Sequence, residues 1–156
     1  MKKINLSLLM LALVAFCMNI SLSHAQQKGN FPEEKLGWKL GSQAYTFRLF
    51  TFAEALDNIV SSNLKYVEMF PGQVVGAGST ERIGASLSKE GRALVKKLLK
   101  EKGVTAHAFG VVGAKDAAEW DQVFQFAKDM GIQVINVEPS DEHLDIVSSL
   151  CDKYQI

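Results

Sequence analysis

Short apolar runs and helical patterns alternate along residues 37–156. Four runs have the length and composition of buried strands, and each precedes a stretch in which apolar side chains recur at helical spacing. The predicted strands are Leu40–Phe47, Lys65–Phe70, Val104–Val112 and Ile132–Glu138. Alternation of this kind is typical of a parallel sheet that is covered by helices.

Local signals mark the ends of the predicted helices. Thr51 and Glu54 have the spacing of a capping box, in which each side chain satisfies a backbone N–H at the start of the first helix. Gly103 ends the second helix as a left-handed cap, and Gly131 closes the third. Ser140 is expected to cap the fourth helix. Each predicted helix therefore has at least one boundary that does not depend on apolar spacing.

The connection Gln73–Ser88, which follows the second predicted strand, has no clear period. It is rich in glycine and serine, so it predicts a long loop. Structureless loops of this length are usually functional.

Two architectures compete for the four βα units. A doubly wound sheet usually has a glycine-rich first turn, whereas the first turn here is Arg48-Leu49-Phe50. Gly76-Ala77-Gly78 has Glu81 at the last glycine position and does not open into a helix, so the dinucleotide fingerprint is absent. A barrel fits better, although a full one needs eight units and about 250 residues. The prediction is an α/β fold, the N-terminal (β/α)4 half of a TIM barrel, truncated after Tyr154-Gln155-Ile156.

The first 25 residues have the pattern of a secretory signal peptide. Two lysines precede the apolar run Leu8–Ile20, and Ser23 and Ala25 place small residues at a cleavage site. A retained anchor and lipidation at Cys17 fit less well, because the run is short and bulky Phe16 precedes the cysteine. The sequence thus predicts a signal peptide (1–25), a polar linker (26–36) and a partial barrel domain (37–156) that is exported to the periplasm or secreted.

Composition excludes several classes of function. The 17 basic and 17 acidic residues balance, and cleavage would remove two lysines, so no basic footprint for nucleic acid is present. Cys151 would be the single cysteine of the mature chain, which rules out an internal disulfide after cleavage. The sequence contains no HExxH motif, CxxC pair or Ser/His/Asp signature.

Candidate site residues follow from the alternation of side chains along each strand. One side of a barrel strand packs on the helices and the other faces the interior, where enzymes build their sites at the carboxyl ends. The interior-facing candidates are Gln43 and Tyr45 in the first strand, Glu68 in the second, His107 in the third and Glu138 in the fourth. Ordinary structural roles stay open: His107 can be a satisfied core histidine, and Gln43 and Tyr45 can complete hydrogen bonds in the barrel top.

Four segments together resemble a known family. They are Leu36–Phe47, Tyr66–Gln73, Phe109–Val112, and Phe126–Gly131 continuing to Glu138-Pro139. These segments are similar to the exported sugar phosphate isomerase/epimerases of the xylose isomerase-like TIM barrel superfamily. The resemblance implies a sugar or sugar derivative as substrate and a divalent metal ion (Mn, Mg, Co or Zn) at the barrel top. It also implies that Glu138 is a metal ligand and the candidate acid or base, and that Glu68 and His107 lie where pocket-lining residues are expected. Together with Gln43 and Tyr45 from the strand alternation, these two are the predicted substrate-binding residues.

The same resemblance implies an incomplete site. The family's further metal ligands lie on later strands, and one carboxylate cannot hold a cation that takes about six ligands. The chain is therefore expected to be inactive alone. After signal cleavage no membrane contact is expected. The open edges of its first and fourth strands would favour a homo-oligomer. Two alternatives stay open: a non-catalytic carbohydrate-binding or half-barrel assembly module, and an apurinic endonuclease-like barrel that binds DNA and zinc.

Overall fold

The computed structural model describes residues 30–156, and the predicted signal peptide lies outside the described residues. The strands are β1 Gly41–Gln43, β2 Tyr66–Met69, β3 Val74–Gly76, β4 Ser79–Arg82, β5 Thr105–Val112 and β6 Val134–Val137. The helices are α1 Phe52–Ser61, α2 Lys89–Lys102, α3 Ala117–Met130 and α4 Leu144–Tyr154, with short 3-10 helices at Pro32–Leu36, Ala44–Phe47 and Asp141–His143. The α/β prediction is confirmed.

The main sheet has four parallel strands in the order β1-β2-β5-β6. Each strand pairs with the strand of the preceding βα unit, because a helical crossover returns the chain to the same end of the sheet. This arrangement is compatible with half of a TIM barrel. Strands β3 and β4 form a separate antiparallel hairpin.

The core lies between the sheet and the helices. Val67 and Met69 of β2 are buried in it, as the alternation in the sequence predicts. Ile135 and Val137 of β6 also pack against it, whereas Asn136 between them is exposed. The pattern of the second and fourth strands therefore identifies correctly which side faces the helices.

The predicted helix boundaries are largely confirmed. Thr51 and Glu54 form the capping box of α1, with the Thr51 N–H donating to Glu54 Oε2 at 2.8 Å. Gly103 (φ 66°) and Gly131 (φ 74°) follow α2 and α3 in the left-handed conformation. Ser140 is the exception, because the 3-10 helix Asp141–His143 comes between it and α4 and its hydroxyl caps no backbone N–H.

Two predicted elements are wrong in detail. The first strand ends at Gln43, since Ala44–Phe47 turns into a 3-10 helix. The segment Gln73–Ser88 contains the β3–β4 hairpin, whose turn needs positive φ at Gly76 (77°) and Gly78 (89°). These strands have three and four residues, too few to show the alternation by which a strand is recognised.

The segment before β1 is fastened to the sheet. Glu34, in the 3-10 helix Pro32–Leu36, accepts hydrogen bonds from Lys65 Nζ (2.8 and 2.9 Å) and from the Tyr66 hydroxyl. The Lys65 ammonium, and after it the Tyr66 hydroxyl, hold the pKa of the Glu34 carboxyl below its ordinary value of 4.5. The second half of the predicted linker therefore carries a helix that is docked on β2.

Acid is expected to release this helix. Because the pKa of Glu34 is lower in the folded chain than in the unfolded chain, its contribution to stability is complete above pH 4.5 and is lost as the pH falls through the folded value. Urea denaturation at several pH values should show the wild type more stable than Glu34→Gln near neutral pH, with the difference shrinking below pH 4.5. A difference that stays constant down to pH 2 would contradict this role.

Candidate functional site

A hydrogen-bonded bridge crosses the face of the sheet that is turned away from the helices. Glu68 Oε1 accepts hydrogen bonds from Gln43 Nε2 at 3.1 Å and from Asn136 Nδ2 at 2.8 Å. Gln43 Nε2 also donates to the Gly110 carbonyl at 3.2 Å. The bridge thus joins all four strands of the main sheet, with a half-buried carboxylate at its centre.

The bridge depends on a residue without a side chain. Glu68 and Asn136 lie on β2 and β6, which are separated by β5. At Gly110 of β5, an added Cβ would lie 2.5 Å from the Asn136 carbonyl oxygen and 2.6 Å from its Cβ. Glycine therefore allows Asn136 to reach Glu68 across the strand between them.

A cavity of about 200 Å³ lies beside the bridge. Gln43, Glu68 and His107 line it together with Lys39 and Tyr66. The structure therefore brings three of the predicted substrate-binding residues to one place. The register between β2 and β5 shifts at Val67/Glu68, so that His107 is the extra residue of a bulge, a feature common beside functional sites.

His107 is kept in its neutral form at neutral pH. Burial lowers its pKa from the ordinary value of 6.5, and the positive charge of Lys39 lowers it further. Its ring lies 6.0 Å from the Tyr66 ring in an edge-to-face arrangement. A neutral imidazole beside the cavity can both donate and accept a hydrogen bond.

A second cavity, of about 370 Å³, adjoins the first at the carboxyl end of the strands. Gln43 belongs to both, and the remaining lining consists of Tyr45, Phe70, Pro71, Gly110 and Val111. Tyr45 projects from the 3-10 helix rather than from a strand, which corrects its predicted position. Its ring meets Phe70 edge to face at 5.2 Å. Tyr45 therefore lies near Gln43 because the chain turns into a 3-10 helix, which strand alternation does not predict.

Glu138 stands apart from the bridge. It follows β6 directly, and its backbone N–H donates to the Val112 carbonyl at 2.9 Å. Its side chain is exposed and makes no hydrogen bond or ion pair with another residue in 30–156. Within the same range, no three His, Cys, Asp or Glu side chains come together as a metal-binding group.

Sequence reasoning missed two residues. The alternation in the fourth strand places Asn136 on the interior face, but only its hydrogen bond to Glu68 in the structure identifies it as a site residue. Gln73 is 3% exposed and donates from Nε2 to the carbonyls of Phe47 (3.4 Å) and Phe50 (3.2 Å), while its Oε1 has no hydrogen-bond partner among residues 30–156. It braces the segment that carries Tyr45. A glutamine after Pro71-Gly72 gives no sequence signal of burial.

No helix within residues 30–156 has both the length and the apolar character that a membrane crossing requires. No protein-family model matches the chain, and no curated protein matches it.

Two solved structures from Parabacteroides distasonis ATCC 8503 are similar to the chain. An uncharacterised protein shares 35% identity with a TM-score of 0.73, over 76% of this chain and 50% of its own. A sugar phosphate isomerase/epimerase shares 13% identity with a TM-score of 0.49, over 74% of this chain and 46% of its own. The chain therefore spans about half the length of each structure. The first similarity supports the fold, and the second is too weak to assign a function.

Proposed function

We propose that the chain contributes the substrate-binding side of a sugar isomerase or epimerase. The observation that carries this proposal is the Gln43–Glu68–Asn136 bridge. Because both amide groups donate to Glu68 Oε1, their carbonyl oxygens and Glu68 Oε2 are left to accept hydrogen bonds from a ligand. A polyhydroxylated ligand provides several hydroxyl donors for these acceptors, and the resemblance of the strand segments to sugar phosphate isomerase/epimerases points to the same class.

The proposed reaction is proton transfer at the carbon next to a sugar carbonyl. Such a C–H becomes acidic enough only if the enediolate that develops is stabilised, and a carboxylate must lie within reach as base. Glu138 is the proposed base, since its exposed carboxylate follows the carboxyl end of β6 and has no partner within the described part of the chain. Gln43 and Glu68 would orient the sugar hydroxyls.

The described residues do not by themselves fit a tightly bound metal ion. Glu138 offers one free carboxylate, whereas Mn²⁺ or Mg²⁺ prefers several oxygen ligands in a fixed geometry. A metal ion would supply charge stabilisation for the enediolate. We therefore propose Glu138 as one ligand among several and expect the chain alone to be inactive.

A non-catalytic carbohydrate-binding module is the second candidate. The hydrogen-bonding groups for a sugar are already joined in the bridge, whereas the described residues bring together no three His, Cys, Asp or Glu side chains that could hold a metal ion. This candidate requires no contribution from Glu138, so the two functions make different predictions for variants of that residue.

Binding of D-fructose to the full chain, followed by isothermal titration calorimetry, tests both functions. Glu68→Ala should weaken binding by roughly 10-fold, because it removes a charged acceptor from two amides. Glu142→Ala, at an exposed position in the 3-10 helix Asp141–His143, is the matched control and should have no effect. Because the oxygens of a bound sugar can add ligands that Glu138 alone does not supply, an excess of Mn²⁺ should tighten D-fructose binding to the wild type but not to Glu138→Gln.

The outcomes separate the alternatives. Binding that depends on Glu68 but ignores Mn²⁺ would favour the carbohydrate-binding module over the enzyme. If Glu68→Ala binds D-fructose as well as the wild type does, the bridge is not the sugar site and the proposed function is wrong.

A further inference from the structure

The larger cavity has an apolar wall. Its volume of about 370 Å³ lies in the range of small-molecule sites. Tyr45, Phe70 and Val111 form the wall, and two of them remain unusually open to solvent, at 52% for Tyr45 and 48% for Val111. Large apolar side chains that are exposed together in a concave place indicate a surface that a ligand covers.

The wall is held in place before any ligand arrives. The Tyr45 and Phe70 rings meet at 79° with centroids 5.2 Å apart, which restrains both side chains. Gln73 fixes the backbone on either side of Arg48 through its hydrogen bonds to Phe47 and Phe50. A rigid aromatic surface loses little conformational entropy when it binds, so it is suited to weakly interacting ligands.

The charge of the lining does not suit a phosphate group. Among residues 30–156, no lysine, arginine or histidine side chain lines this cavity. The adjoining cavity across Gln43 contains the Glu68 carboxylate, which repels an anion, together with the Lys39 ammonium, which attracts one. Proteins usually bind phosphate through arginine, lysine or several backbone N–H groups. Outside the lining, the Arg48 guanidinium lies over the Tyr45 ring, 5.1 Å from its centroid.

On the basis of the proposed function, we propose that the substrate is an unphosphorylated sugar whose apolar C–H face lies against Tyr45, Phe70 and Val111. A sugar ring has hydroxyls at its edge and C–H groups on its faces. The C–H groups carry slight positive charge and pack well on the negative face of an aromatic ring. In this arrangement the sugar hydroxyls face Gln43 and the Glu68 bridge.

Saturation-transfer NMR with the full chain tests the substrate class, with D-fructose and D-fructose 6-phosphate as probes. D-fructose should bind more tightly than its phosphate and should receive saturation mainly at its C–H protons. Tyr45→Ala should weaken D-fructose binding by roughly 5-fold, whereas Tyr45→Phe, which keeps the ring, should bind like the wild type. Arg48→Met should leave the affinity for both probes unchanged.

Different results would overturn different claims. Tighter binding of D-fructose 6-phosphate, lost in Arg48→Met, would overturn the neutral substrate while the proposed function stands. Absence of binding by both sugars would overturn the proposed function and the substrate class together. If Tyr45→Ala does not fold by circular dichroism, Val111→Ser at an exposed position tests the same wall, and unchanged D-fructose affinity in that variant would count against it.

Discussion

Replacing Phe109 with alanine is expected to lower the free energy of unfolding by about 3–5 kcal/mol. Phe109 is 1% exposed on β5, whose neighbours on either side are β2 and β6. Its ring packs on Phe126 of α3 with centroids 5.0 Å apart. The loss would combine buried apolar area with a cavity that the surrounding core cannot fill.

Urea denaturation followed by circular dichroism measures this effect. Val111→Ala is the matched control, because Val111 lies on the same strand but is 48% exposed, and a change within about 0.5 kcal/mol is expected. If Phe109→Ala does not fold, Phe109→Leu should show a smaller loss in the same direction. Equal effects at positions 109 and 111 would contradict the assignment of the core to the helix side of β5.

Replacing Gly110 with alanine is expected to cost about 1–3 kcal/mol and to break the bridge. The new Cβ would lie 2.5 Å from the backbone oxygen of Asn136. A flexible side chain could rotate out of such a clash, but the backbone of a paired strand cannot. The backbone of β6 should therefore move away, and Asn136 Nδ2 should lose its hydrogen bond to Glu68.

Thermal unfolding and the NMR signal of the Asn136 side-chain amide report the two consequences separately. Gly113→Ala is the matched control, because its Cβ would meet only the Glu138 carbonyl at an ordinary 3.7 Å. An unchanged Asn136 amide signal in Gly110→Ala would show that the bridge does not depend on the missing side chain.

The parts of the fold that depend on local pattern could be predicted. The capping box at Thr51 and the left-handed caps at Gly103 and Gly131 are short-range features, so neighbouring residues are enough to specify them. The alternation in β2 also predicts its buried side, because that strand is regular from Tyr66 to Met69. Length and period carry the information in each of these cases.

The parts that depend on contacts distant in sequence could not be predicted. Ala106 and Phe109 of β5 are both buried although they are three residues apart, because the bulge at His107 shifts the alternation. Nothing in the run Thr105–Val112 indicates that shift. The β3–β4 hairpin was not predicted for a different reason: its strands have three and four residues, which is too short to show an alternation.

In the candidate site, too, the local pattern predicts the positions of side chains but not the contacts between strands. Alternation correctly placed Gln43 and Glu68 on the inner face, but the bond between them and the reach of Asn136 across Gly110 are properties of three dimensions. The family resemblance assigns Glu138 both metal binding and catalysis, yet within the described chain its side chain makes no hydrogen bond to that bridge. Its role therefore stays a proposal that rests on position and exposure.

The order of strands in the main sheet has a consequence for how the molecule forms during synthesis. Because β1, β2, β5 and β6 lie side by side in chain order, each strand after β1 pairs with a strand that has already been synthesised. β2 can pair with β1 once residue 69 has emerged, and neither strand needs to wait for β6. The sheet can therefore grow from the β1 edge, and α1 and α2 are synthesised in time to cover β1 and β2 before β5 emerges.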